Sequence, residues 1–113
     1  MTRKQLRTAF ILAILVVTAI LTRAPDGSAG ALCFGSPVTI SGSDRGEKIN
    51  GTGGPDVIDS GGGGDVVNGL GGDDKLCGGD GGDILNGGDG NDSCNGGRGG
   101  DRGTGCERTT NIP

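Results

Sequence analysis

Apolar and acidic positions recur with a period of nine from Gly42 to Thr104. Seven units follow one another with no residue inserted or lost: GSDRGEKIN, GTGGPDVID, SGGGGDVVN, GLGGDDKLC, GGDGGDILN, GGDGNDSCN and GGRGGDRGT. The eighth place holds Ile49, Ile58, Val67, Leu76, Leu85, Cys94 and Gly103. Two residues earlier, the sixth place holds Glu47, Asp56, Asp65, Asp74, Asp83, Asp92 and Asp101. A short fixed period of this kind points to a solenoid, in which each unit buries its apolar residue only by stacking on its neighbours.

Places seven to nine, as in Val57-Ile58-Asp59 or Val66-Val67-Asn68, suit a very short strand. Alternation along such a strand turns the eighth side chain to one face and its neighbours to the other. Two units then make one coil with a strand on each side, and units two apart stack at about 4.8 Å. One inner column is predicted to hold Ile58, Leu76 and Cys94, the other Ile49, Val67 and Leu85. The first five places are mostly glycine, which reaches positive φ at no steric cost and so permits tight turns. The expected fold is all-β: a parallel β-roll, that is a right-handed β-solenoid of nonapeptide repeats, with short terminal caps.

Composition alone gives a different picture. With 28 glycines in 113 residues and 2% aromatics, the chain resembles an acidic, disordered linker. A linker has no reason to hold an aspartate and an aliphatic residue two apart through successive units. The same stacking also brings like charges together. Asp56, Asp74 and Asp92 fall along one edge, and Asp65, Asp83 and Asp101 along the other. Unit charges about 5 Å apart repel by roughly 1 kcal/mol in water, and by more where they are buried. A hard divalent cation between successive turns relieves that repulsion, and calcium accepts 6–8 oxygen ligands, carboxylate and backbone carbonyl alike. Asp56, Asp65, Asp74, Asp83, Asp92 and Asp101 are the candidate metal ligands; Arg45 and Glu47 make the first unit depart from the pattern.

The units fit G-G-x-G-x-D-x-U-x, where U is a large apolar residue, and in this the stretch resembles the RTX, or haemolysin-type, calcium-binding repeat. The resemblance implies a parallel β-roll with Ca2+ as its cofactor and the sixth-place aspartates among its ligands. Better-known RTX proteins usually lack an N-terminal signal peptide and carry a C-terminal export signal. Here the start of the chain reads as a signal peptide and four cysteines are present, so neither their export route nor toxicity carries over.

Residues 1–31 are predicted to be that signal peptide. Arg3, Lys4 and Arg7 precede an apolar run from Ala9 to Leu21, and Ala29-Gly30-Ala31 offers a cleavage site. The run is short for a membrane span, which needs about 20 residues. Cleavage after Ala31, or after Ala29 as the second choice, yields a secreted, extracellular protein with no stable membrane insertion. It leaves six basic and thirteen acidic residues, a net charge of −7. A surface of that sign attracts cations and repels nucleic acid, so no nucleic-acid partner is expected.

Residues 32–41 are expected to form an N-terminal cap around Phe34, with Ile40 continuing the inner ladder and Val38 in the sixth place. Residues 42–104 are the roll, and residues 105–113 a short C-terminal tail. Four cysteines in an exported chain suggest two disulfides, and sequence alone allows three pairings. Of these, Cys33–Cys77 would tie the cap to the roll and Cys94–Cys106 would tie down the tail, although the place of Cys94 predicts an inward side chain. No window completes G-x-G-x-x-G, a P-loop or an EF-hand loop. With no histidine, tyrosine or tryptophan, no catalytic constellation is found and the chain is not expected to be an enzyme. The function expected is calcium binding in a secreted structural or interaction module whose protein or surface partner is unidentified. An adhesive or ice-binding solenoid, with calcium purely structural, is the alternative.

Overall fold

The computed structural model describes residues 31–113, so the predicted signal peptide lies outside the described residues apart from Ala31. Eleven short strands follow: β1 (Leu32–Cys33), β2 (Ser36–Pro37), β3 (Ile40–Ser41), β4 (Lys48–Asn50), β5 (Val57–Asp59), β6 (Val66–Asn68), β7 (Lys75–Cys77), β8 (Ile84–Asn86), β9 (Ser93–Asn95), β10 (Arg102–Thr104) and β11 (Arg108–Thr110). Strands β4 to β10 each occupy places seven to nine of their unit. The intervening glycines turn the chain back, several of them at positive φ, such as Gly61 at 90° and Gly79 at 89°.

Alternate strands pair in parallel. One sheet runs β10-β8-β6-β4 and the other β11-β9-β7-β5-β3. Ile58 stands opposite Leu76 and Leu76 opposite Cys94; Ile49 stands opposite Val67 and Val67 opposite Leu85. These are the two columns that the period predicts, and the fold is a parallel β-solenoid. Ile58, Val67, Leu76, Leu85 and Cys94 are fully buried between the sheets, with Ile40, Ile49, Cys106 and Ile112 packed against them. The core is one side chain deep from each sheet. Burying each of the larger ones stabilises the roll by roughly 1.5–3 kcal/mol.

The two ends depart from a simple repeat. β1 and β2 form an antiparallel hairpin whose turn puts Phe34 and Gly35 at positive φ. This hairpin lies on the outer face of the five-stranded sheet, against β5 and β7. Lys75 and Cys77 point away from buried Leu76, and it is Lys75 Nζ that donates to Ser36 Oγ and Cys77 that is bonded to Cys33. Within the same predicted cap, β3 continues the inner ladder, with Ile40 paired to Ile58.

At the other end, the expected tail supplies a further strand. β11 pairs with β9, Thr109 opposite Cys94, a separation of 15 residues where the other coils use 18. The last coil is therefore three residues shorter. Cys94 and Cys106 are bonded across it, with Cα atoms 6.0 Å apart. Ile112 then folds over Gly103, the eighth-place residue with no side chain. A Cβ built on Gly103 would stand 2.7 Å from Ile112 Cδ1. The isoleucine thus fills the gap left where the apolar column ends.

Candidate metal centre

Each sixth-place residue precedes a strand and sits at the corner where the glycine turn enters it. The corner is hidden: Asp56, Asp65, Asp74, Asp83, Asp92 and Asp101 are all between 0% and 6% exposed. One carboxylate oxygen has a structural role that repeats through both columns. The backbone N–H of Glu47 donates to Asp65 Oδ1 at 2.8 Å, and that of Asp65 donates to Asp83 Oδ1 at 2.8 Å. The backbone N–H of Asp83 in turn donates to Asp101 Oδ1 at 2.9 Å. In the other column the N–H of Asp56 donates to Asp74 at 2.8 Å and that of Asp74 to Asp92 at 2.7 Å. The carboxylates of Asp65, Asp74, Asp83, Asp92 and Asp101 therefore each satisfy the corner N–H of the coil before, an N–H that the short strands leave outside their ladders.

The second oxygen has no such partner. Oδ2 of Asp65, Asp74, Asp83, Asp92 and Asp101 is buried and accepts no hydrogen bond. A buried acceptor left unpaired costs about 1–3 kcal/mol, and more when charged. In most of these units Oδ2 lies against the first-place glycine of its own unit. A Cβ on Gly69 would come closer than 3.0 Å to both Asp74 Oδ2 and the carbonyl oxygen of Gly87 in the next coil. Gly78 is placed in the same way between Asp83 Oδ2 and Gly96 O, and Gly96 between Asp101 Oδ2 and Asn111 O. A Cβ at these three glycines would crowd two oxygens at once, whereas in the Asp65 unit the first place holds buried Ser60, whose hydroxyl donates to Gly78 O at 2.8 Å.

Charge builds up along the columns. Burial pushes the Asp74 carboxyl up to about 6, opposed by the hydrogen bond from Asp56 and assisted by the neighbouring carboxylates of Asp92, Asp56 and Asp73. Burial likewise raises Asp83, again against a backbone hydrogen bond from Asp65, with the carboxylates of Asp65 and Asp101 adding to the rise. These two residues stand in the middle of their columns, with a stacked carboxylate on either side. Without a cation, the ionised form is disfavoured there.

The six sixth-place aspartates do not behave alike. Asp56 has no orphaned oxygen, because Thr52 N–H donates to its Oδ2 at 2.7 Å and the Thr52 hydroxyl reaches both its oxygens at 3.1 Å. Glu47 is held the same way by Ser43, through the hydroxyl and through the backbone N–H at 3.3 Å. At the far end the structure adds a carboxylate that a strict count of nine overlooks. Glu107 Oε2 accepts the Asp92 N–H at 2.7 Å, so Glu107 serves as the sixth-place acid of the shortened last coil. The signal in the sequence is an acidic residue directly before a short β-forming run, Arg108-Thr109-Thr110.

Among the described residues no three acidic side chains converge on one point. The donor set on offer is instead one carboxylate oxygen per turn together with backbone carbonyls. That set suits calcium, a hard cation bound by carboxylate and carbonyl oxygen, and offers nothing to a soft metal. The orphaned oxygens and the oxygen-lined glycine positions fit the ion.

No curated protein and no solved structure matches the chain. The RTX calcium-binding nonapeptide repeat matches in four copies over residues 41–76 and 71–102, more than half of the chain. With its β-solenoid and its buried corner carboxylates in register, the chain belongs to the family of RTX calcium-binding nonapeptide repeat proteins.

Proposed function

We propose that this protein is an exported calcium-binding β-roll that serves as a structural or interaction module and has no catalytic role. The observation that carries the reading is the row of orphaned oxygens, Oδ2 of Asp65, Asp74, Asp83, Asp92 and Asp101. Calcium, when bound, supplies the positive charge that this row lacks. The residues do the rest: Oδ1 fixes each carboxylate to the coil before it, and the first-place glycines keep the neighbouring space open for oxygen. The two cystine bridges hold the ends of the roll in place without metal, and such bridges suit an oxidising, extracellular setting. The apolar start and Ala29-Gly30-Ala31 support export with cleavage after Ala31.

Isothermal titration of the exported protein, with its disulfides intact, tests the proposal. Calcium is expected to bind at micromolar to millimolar concentration. Magnesium is expected to substitute poorly, because it demands near-octahedral geometry and gives up its waters reluctantly. No heat and no stabilisation at millimolar calcium would overturn the reading.

A further inference from the structure

The two carboxylates that begin the columns differ from all those that follow. Within the repeats, Glu47 and Asp56 are the first sixth-place acids of their columns, and among the described residues neither accepts an N–H from an earlier coil. The residue one coil before Asp56 is Val38, and its N–H donates to Ala31 O. No corner N–H is left for the oxygen that later aspartates use to bind the preceding coil. A hydroxyl residue in the second place takes over in these two units. Thr52 gives Asp56 its N–H and its hydroxyl, and Ser43 does the same for Glu47.

The second place of the next five units holds Gly61, Leu70, Gly79, Gly88 and Gly97, all at positive φ. In those turns no second-place N–H reaches the carboxylate, and Oδ2 stays orphaned. Ser43 and Thr52 keep ordinary negative φ, so the turn itself is different. Threonine also resists the left-handed conformation that the other five turns use, because it is β-branched. The pin and the open carboxylate are thus alternative states of one corner, selected by the residue in the second place.

We infer that Ser43 and Thr52 stand in for the cation at the first rung of each column, so that Glu47 and Asp56 bind no calcium and the N-terminal end of the roll is ordered without it. The inference rests on the calcium reading for the later rungs but not for the first two. It divides the roll in function. The rungs containing β4 and β5, with β5 lying against the hairpin, form a metal-independent seed. Calcium-dependent order begins at Asp65 and extends towards β10. Filling proceeds from a preformed edge, which lowers the entropy that each later rung must lose on ordering.

Hydrogen exchange of the full exported protein, in chelator and in calcium, tests this. In the wild type, protection of the Lys48–Asn50 and Val57–Asp59 amides is expected to change less than threefold on adding calcium. Amides of Ile84–Asn86, Ser93–Asn95 and Arg102–Thr104 are expected to gain at least tenfold. The Thr52→Val variant keeps the shape and the backbone N–H but loses the hydroxyl. It should lower protection of Val57–Asp59 in chelator about fivefold or more and leave the calcium stoichiometry unchanged. Ser43→Ala should act likewise on Lys48–Asn50. An equal calcium response at β5 and β9, or chelated protection unaffected by Thr52→Val, would overturn the inference. If no amide responds to calcium, the calcium reading fails, and the effect of Thr52→Val in chelator still decides whether the pin exists.

Discussion

Replacing Asp74 by asparagine should change stability in opposite directions with and without calcium. Asparagine is nearly isosteric, and its amide oxygen can still accept the Asp56 N–H that Asp74 Oδ1 accepts at 2.8 Å. What is lost is the charge on the oxygen that has no partner. In the folded roll the Asp74 carboxyl titrates at about 6, above its ordinary value of 3.8. Between those pH values the folded state holds a proton that the unfolded chain has released. The stability associated with this group is therefore fully present below about pH 3.8 and lost as pH rises through about 6. A rise from 3.8 to about 6 corresponds to a penalty on the order of 3 kcal/mol at pH 7.5 without metal. The neutral amide of the variant carries no such penalty. Urea unfolding at pH 7.5 in chelator should therefore show D74N more stable than the wild type by up to about 3 kcal/mol, with the difference fading towards pH 4. In millimolar calcium the order should reverse, because the wild type gains binding energy that the variant forgoes. A variant less stable in chelator as well as in calcium would refute the reasoning, since Asp74 would then be a hydrogen-bonding strut and not a frustrated charge.

Four further outcomes are expected. Gly78→Ala should weaken calcium binding and destabilise the roll by several kcal/mol, since a Cβ there meets Asp83 Oδ2 and Gly96 O, whereas Gly53→Ala, with nothing within 4 Å, should be nearly silent in both thermal melting and calcium titration. Ile112→Ala should uncover Gly103 and cost about 1–2 kcal/mol, below the range for a fully buried isoleucine because Ile112 is only partly covered, and exchange at Arg108–Thr110 should rise. Removing the Cys33–Cys77 bond with paired serines should cost about 4 kcal/mol, from the 44-residue separation it closes, and lower the chemical-denaturation midpoint. N-terminal sequencing of the exported protein should begin at Leu32, or at Gly30 if Ala29 is the cleavage residue; full-length chain recovered from the membrane fraction would contradict it.

The period of nine made the strands and columns legible because each carries its own marker. An aliphatic residue in the eighth place has one way to leave water, and the two-unit coil follows from the alternation of strands. Both disulfides were also among the readable pairings, one joining the N-terminal segment to the roll and the other holding the tail. The position of the hairpin was not legible. The outer-face contact depends on Lys75 and Cys77, whose places say only that they point away from the core. Glu107 was hidden for a different reason: shortening the last coil by three residues moves the acid out of the counted place, and a loop can shorten without leaving a mark in the pattern. Nor could spacing distinguish Asp56 from Asp74. The difference lies in Thr52, whose hydroxyl and negative φ matter only once the corner is built. Ile112 is intermediate, for it stands nine residues after Gly103, yet it reaches the gap through a folded end and not through a standard coil.

On the proposed reading the corner carboxylates, and not the exposed acids of the turns, receive calcium. Carboxyl 13C resonances followed by NMR through a calcium titration of the disulfide-intact protein test it most directly. Asp65, Asp74, Asp83, Asp92 and Asp101 should shift together as the roll fills, while Asp56, pinned by Thr52, and exposed Asp44, Asp80 and Asp89 should move little. Shifts confined to the exposed aspartates, with the buried corner carboxylates unchanged, would contradict it.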